Sequence, residues 1–181
     1  MPVVQGKIMT QPTPQNQLFA ELDRLGIPHR TITHVPVFTV EDAKLLRGAI
    51  DGGHTKNLFL KDRQDRLYLA VTLEDVPVDL NALAKDLAAS RLSFASPALL
   101  RHHLGVEPGS VTPFALLNDQ GLSVTPVLDE TMLAADPLNF HPLVNTATTA
   151  IKNTDLLRFI EAQGHIPRRL RFPRRSLVGI S

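Results

Sequence analysis

Four stretches of this chain carry residues suited by type and position to chemical work. The first is Gly52 to Asp62, which joins a glycine loop, a short apolar run and a cation, Lys56. Leu58, Phe59 and Leu60 are apolar on both faces of a strand, as in a strand buried on two sides. Asp62-Arg63-Gln64-Asp65 is a polar turn and Arg66 to Thr72 a second strand, so the pair predicts a hairpin whose first strand starts at Lys56 and Asn57. A lysine at such a strand mouth either snorkels its ammonium into water or anchors a phosphate or ribose oxygen.

The second stretch is Gly109-x-x-x-Pro113. Its glycine lets backbone approach a ligand and its proline stiffens the exit, so its amides could hold a carbonyl oxygen or carboxylate; a tight turn between helix and strand would look the same. The third, Phe140 to Thr148, sets His141 and Asn145 in an otherwise apolar extended segment, where a buried polar side chain needs a partner and is either a structural cross-link or a ligand contact. The fourth is the basic run Arg168, Arg169, Arg171, Arg174 and Arg175. His29, His54, His102, His103 and His165 form no metal-ligand spacing with carboxylates, and with no cysteine present the chain excludes thiol catalysis, disulfides and cysteine metal sites. No metal or cofactor is expected.

Elements must position these residues. Leu18, Phe19, Leu22 and Leu25 fall at helical spacing over Asn16 to Leu25, with Gly26 and Pro28 as a stop. His29 to Val35 is a strand candidate, and Thr39 caps a short helix through Leu46 that carries Glu41 and Asp42 in its first turn. Asp79 caps a helix whose Leu80, Leu83, Ala84 and Leu87 share a face, and Ser96-Pro97 opens another that runs to Leu104. Phe114 to Leu117 and Ser123 to Leu128 are strand candidates around an Asn118-to-Gly121 turn. Asp129 caps one helical turn, Leu138 to Leu143 and Thr146 to Ile151 are extended, and Thr154 to Gln163 is the last helix. Strands and helices mix without regular alternation. This predicts an α+β type of α/β domain, a mixed, mostly antiparallel sheet surrounded by helices, rather than a doubly wound nucleotide fold.

At 181 residues, 43% apolar and 20% charged, the chain is an ordinary globule, taken as one domain over 15–166. Residues 1–14 are expected to be loose, and 167–181 to form a basic tail. No apolar run approaches a membrane span and the start lacks a signal-peptide core, so a cytoplasmic location without membrane contact is the expectation. Residues 1–140 hold 12 Lys and Arg against 16 Asp and Glu, net −4, while 141–181 hold 7 against 2, net +5. Positive charge gathered at one end suits a polyanion partner or, equally, a solvated tail. With no Trp and one Tyr, a stacking platform for single-stranded nucleic acid has little support.

His34-Val35-Pro36-Val37-Phe38-Thr39, Thr55-Lys56-Asn57-Leu58-Phe59-Leu60-Lys61-Asp62, Gly109-Ser110-Val111-Thr112-Pro113 and His141-Pro142-Leu143-Val144-Asn145-Thr146-Ala147-Thr148 stand in the order of the motifs of the YbaK/aminoacyl-tRNA synthetase-associated domain. The chain resembles that family from about Asn16 to Gln163, in particular the free-standing homologues of the prolyl-tRNA synthetase editing insertion, and most of all the branch deacylating alanyl-tRNA(Pro). The resemblance implies hydrolysis of the ester between a wrong amino acid and the terminal adenosine of a tRNA. It assigns catalysis to Lys56, which helps hold the tRNA 3′ end, to Gly109, and to His141, which lines the aminoacyl pocket. Substrate binding falls to His34, Asn57, Ser110, Val111, Thr112, Pro113 and Asn145; the Gly109 to Pro113 amides take the carbonyl oxygen, while Asn57 and Asn145 position ester or ribose groups. Arg168, Arg169 and Arg171 are expected to meet the tRNA backbone. A ribose ester is activated, so a placed water and the neighbouring 2′-hydroxyl suffice without a serine or cysteine nucleophile, and no nucleophile elbow is present. The implied partners are aminoacylated tRNA(Pro) and, transiently, prolyl-tRNA synthetase. Removal of cysteine or another residue, a binding-only tRNA module, and a small-molecule or protein-interaction domain are the alternatives.

Overall fold

The computed structural model describes residues 14–36, 41, 42, 45 and 50–176. Helix α1 (Pro14–Arg24) buries Leu18 and Leu22 on the stripe their spacing sets, and Gly26 ends it at φ 65°. Strands follow at β1 (Arg30–Thr33), β2 (Gly53–Lys61) and β3 (Leu67–Leu73), then helix α2 (Leu80–Asp86), strand β4 (Ser93–Phe94) and helix α3 (Pro97–Leu104). A 3-10 helix (Pro113–Asn118), β5 (Val124–Asp129), α4 (Glu130–Leu133), β6 (Leu138–Phe140), β7 (Ala147–Ile151), α5 (Asn153–Ala162) and β8 (Arg168–Leu170) complete the order. The caps are those the sequence supplies: Asp79 accepts from the Asn81 and Ala82 amides, Ser96 from Leu99, and Asp129 from Thr131.

One mixed sheet runs β1-β7-β6-β2-β3-β5-β8, with β4 added to the far end of β2. β1–β7, β2–β3, β2–β4 and β6–β7 pair antiparallel; β2–β6, β3–β5 and β5–β8 pair parallel. Each face packs its own core. Phe59, Leu67, Leu69 and Val71 meet α1, α3, α5 and the 3-10 helix, where Phe114 sits edge-on to Phe140 and Phe159 at 5.6 and 5.4 Å. Leu60, Tyr68 and Ala70 meet α2 and Phe172 on the other face. Each buried Leu, Val or Phe among these contributes about 1.5–3 kcal/mol by leaving water, so two filled faces explain why β3 is buried along nearly its whole length.

Several expectations need correction. Phe114 to Leu117 form the 3-10 helix and not a strand, because Thr112 caps the Phe114 amide and the Ala115 and Asp119 amides turn back onto the Thr112 and Leu116 carbonyls at 3.1 Å each. The extended run from Leu138 stops at Phe140. Strand β2 begins at Gly53, three residues before Lys56, since Gly53 and His54 pair with Leu138 and Asn139. Gly52, at φ 104°, makes this entry possible: a Cβ there would lie 2.5 Å from the Pro137 carbonyl oxygen. The described part of the expected basic tail, residues 167–176, is woven into the sheet. Arg168–Leu170 pair with Val127–Asp129, Phe172 is buried, and its amide donates to Asp129, which also accepts from Thr72 at 2.6 Å. Further on, Val78 bridges Arg174 and the Arg175 amide donates to the Pro77 carbonyl. The Thr39 cap and residues 1–13 of the expected loose start lie outside the described residues; Pro14 already opens α1, and Glu41, Asp42 and Leu45 are helical.

Candidate active site

The site begins as a break in a hydrogen-bond ladder. On the side of β2 away from β3, the strand pairs with β6 only at Gly53 and His54 and with β4 only at Leu60 and Lys61, while the Ala95 amide takes the Phe59 carbonyl. Lys56, Asn57 and Leu58 therefore border an opening between two halves of the sheet. Unpaired strand edges are costly to leave bare inside a fold and are used where another molecule arrives.

Alternation along the strand sends the two polar residues of the gap to opposite faces. Asn57 pairs with Val71 and shares its face with Phe59; Lys56 pairs with Thr72 and shares its face with Leu58 and Leu60. Asn57 lines a slot of about 240 Å³ together with Phe94, Pro97, Leu100, Gly109 and Val111. Its Oδ1 is buried with no hydrogen-bond partner among the described residues, an arrangement that costs about 1–3 kcal/mol unless a donor arrives.

The Gly109 loop forms the opposite wall. Gly109 is exposed at φ 88°, and its position is open enough that a built Cβ would meet only the Asn145 amide nitrogen, at 3.8 Å. Asn145 thus reaches this loop from the turn after β6. Within the loop the expected roles separate. The Ser110 amide is already taken by the Glu107 carbonyl at 3.0 Å, the Thr112 hydroxyl accepts from the Phe114 amide at 3.3 Å, and Ser110, Thr112 and Pro113 are buried. These three build the turn and do not line the slot; Gly109 and Val111 do. Among the described residues the Gly109 and Val111 amides have no carbonyl partner.

The turn from His141 to Thr146 is held in an unusual shape, with Leu143 at φ 67° although it is buried and not glycine. Such a backbone costs of order 1–3 kcal/mol and persists only where its surroundings fix it. It sets His141 with Nδ1 donating to the Ala147 carbonyl at 3.0 Å. A carbonyl only accepts, so the neutral ring carries its proton on Nδ1 and leaves the Nε2 lone pair as an acceptor. Burial lowers the His141 pKa below its ordinary value; the Ala147 bond opposes this and nearby His34 adds to it. His34, 6.4 Å away between ring centres, donates from Nδ1 to the Val35 carbonyl at 2.7 Å and meets the Thr148 hydroxyl at 2.8 Å through Nε2. Among the described residues His34 is thus held through both nitrogens and His141 through one.

Lys56 is not at a strand mouth but in the interior of β2, and it does not enter the slot. Its ammonium donates to the Val76 carbonyl on the other face. Burial lowers its pKa, Arg175 lowers it further, and Asp75 and Glu74 pull the other way. Arg175, anchored at Pro77, is thus the basic residue of the C-terminal run that comes near Lys56. Arg168 instead donates to the Leu87 and Asp86 carbonyls at 3.0 and 3.3 Å. It stands with Arg169 on β8, three strands from β2 and so roughly 14 Å across the sheet. Arg169 and Arg171 are exposed on that edge.

The sequence did not single out Phe94 or Arg175 as site residues. Phe94 had no pattern to mark it, being placed by a two-residue strand, and Arg175 was one of five similar arginines. A larger hollow of about 460 Å³ lies between β1, β7 and Ile50–Asp51. None of the expected site residues lines it, and the four motifs do not converge there.

Residues 34–159 match the family model of the aminoacyl-tRNA editing domain. The chain is 41% identical over 148 residues to prolyl-tRNA synthetase associated domain-containing protein 1 of Danio rerio, covering 81% of this chain and 80% of that one. It is 34% identical over 149 residues to the prolyl-tRNA editing protein ProX of Acetoanaerobium sticklandii, covering 82% and 91%. Its fold is similar to that of a solved protein described as a candidate trans-editing enzyme for prolyl tRNA synthetase, with a TM-score of 0.70 at 17% identity, over 92% of this chain and all of the other. Among the described residues no helix is long and apolar enough to cross a membrane.

Proposed function

Because the chain belongs to the aminoacyl-tRNA editing domain family, we propose that it removes a wrongly attached amino acid from tRNA(Pro), alanine first, by hydrolysing the ester to the terminal ribose. The observation that carries this reading is the Asn57 Oδ1, without a partner among the described residues, on the slot it shares with the Gly109 loop. A buried acceptor opposite free amides suits a substrate that donates from a ribose hydroxyl or amino group and accepts at a carbonyl, and an aminoacyl ester does both.

In this mechanism a water oxygen attacks the ester carbonyl carbon. Negative charge gathers on the carbonyl oxygen, where the Gly109 and Val111 amides, without a carbonyl partner among the described residues, can receive it. Collapse breaks the bond to the ribose oxygen, which leaves with a proton, and the neighbouring 2′-hydroxyl is within reach to relay it. Asn57 and Asn145 hold the ribose and ester. His141, neutral and with its proton on Nδ1, lines the side-chain end. Lys56 on the reverse face, with Arg175 beside it, takes a phosphate of the 3′ end as the strand passes through the gap. Arg169 and Arg171 meet phosphates further along the tRNA. The relatives' names support tRNA(Pro) as the carrier and prolyl-tRNA synthetase as a transient partner.

Discrimination against proline follows from size. A five-membered ring would have to push aside the wall around His141 and the Gly109 loop, and overpacking a formed site costs about 1–3 kcal/mol. Single-turnover hydrolysis of alanyl-, cysteinyl-, seryl- and prolyl-tRNA(Pro) tests this. Rapid loss of the alanyl ester with the prolyl ester spared is expected; comparable rates on these two, or tight binding with all four esters intact, would contradict it.

A further inference from the structure

The slot beside Asn57 is larger than a methyl side chain requires, and most of its lining is apolar and faces outward. Its outer wall is Phe94, a residue 65% exposed. The other exposed large apolar residues, Val35, Leu45, Leu122 and Ile166, are aliphatic, so Phe94 is the exposed aromatic among the described residues. Exposure here is not looseness. The residue is paired in register with Leu60, the next amide bonds the Phe59 carbonyl at 2.9 Å, and Ser96 caps the helix that follows. With its backbone fixed on both sides, the direction in which Phe94 projects is set before any ligand arrives, so a planar partner that stacks on the ring has only side-chain rotations left to order.

We propose that Phe94 is the platform for the terminal base of the tRNA: the base stacks on the ring within the slot, between it and Pro97 or Pro108, while the ribose lies at Asn57 and the ester reaches the Gly109 loop. The inference rests on the deacylase reading, which places the terminal nucleoside at this opening. Every aminoacyl-tRNA presents the same nucleoside to the enzyme, so the platform needs no sequence readout, and stacking on an aromatic face supplies base affinity without it. One aromatic suffices where one base is held, which is compatible with a chain low in aromatic residues.

The test uses the full chain as wild type, Phe94→Ala and Phe94→Trp. Each is assayed on alanyl-tRNA(Pro) and on the same RNA ending in an alanylated ribose without a base. Removing the ring should raise KM about tenfold with kcat nearly unchanged, Phe94→Trp should restore it, and on the baseless substrate wild type and Phe94→Ala should coincide. Equal KM on the normal substrate, or an equal penalty on both substrates, would overturn the platform. Should the wild type cleave no ester, the deacylase reading fails by itself. The platform is then read from Kd for non-acylated minihelix RNA with and without its terminal base: a loss in Phe94→Ala confined to the base-bearing RNA upholds it, and equal Kd values overturn it.

Discussion

Two polar regions of this molecule look equally promising in the sequence and prove opposite in the fold. Around β8 the polar groups are mutually satisfied: Arg168 bonds two carbonyls, the Phe172 amide and the Thr72 hydroxyl both meet Asp129, and Phe172 fills the core beneath. Around the opening beside β2 they are not, since Asn57 Oδ1 has no partner among the described residues, His141 keeps one nitrogen open, and a phenyl ring faces solvent. A structural site closes its hydrogen bonds, while a site for a ligand leaves them open at some cost in stability. Charge density pointed to β8; unsatisfied bonding points to the gap.

The sharpest way to break the contrast is through stability. Phe172→Ala should destabilise the protein by about 3–5 kcal/mol, whereas Asn57→Ala, which removes an unpaired buried acceptor, should leave stability unchanged or slightly raised. Urea unfolding of both variants decides, and a large loss for Asn57→Ala with little for Phe172→Ala would reverse the assignment.

A smaller effect is expected at the reverse face. Lys56→Ala should weaken binding of the tRNA about tenfold and reduce the slope of log K against log salt by roughly one phosphate contact, while Arg168→Ala leaves that slope in place. Equal slopes for Lys56→Ala and wild type would remove Lys56 from the phosphate path.

The smallest effect is on pH. His141 has a folded pKa below its unfolded value, so the unfolded chain binds the extra proton first as the solution is acidified. Its contribution is fully present above the ordinary histidine pKa and is lost as pH falls through the lower folded one. Stability should therefore decline with acidification below about pH 6.5, and His141→Gln should flatten that part of the curve. A profile identical in wild type and variant would show that the ring is not held neutral by burial.

Much of this arrangement was legible in the chain. The caps Asp79, Ser96 and Asp129 were read from residue type and position, as was the apolar stripe of α1, because these depend on contacts a few residues apart. Motif order singles out Asn57, Gly109, His141 and Asn145 as candidates. What remained hidden depends on strand pairing between distant segments. Nothing local shows that β2 loses its neighbour between His54 and Leu60, that Lys56 and Asn57 consequently serve different faces, or that Arg168–Leu170 have a partner in β5. The 3-10 helix at Phe114 was missed for a related reason: four consecutive buried residues match a buried strand until the Thr112 cap is seen.

The central claim is that hydrolysis occurs in the gap beside β2, with Asn57 holding the substrate, and not along the basic β8 edge. Single-turnover deacylation of alanyl-tRNA(Pro) at saturating enzyme, comparing wild type, Asn57→Ala and Arg168→Ala, tests it most directly. The account predicts a rate constant at least about a hundredfold lower for Asn57→Ala, the scale seen when one positioned polar contact to the reacting group is lost, and a nearly unchanged one for Arg168→Ala. A wild-type rate in Asn57→Ala, or a larger loss in Arg168→Ala, would contradict it.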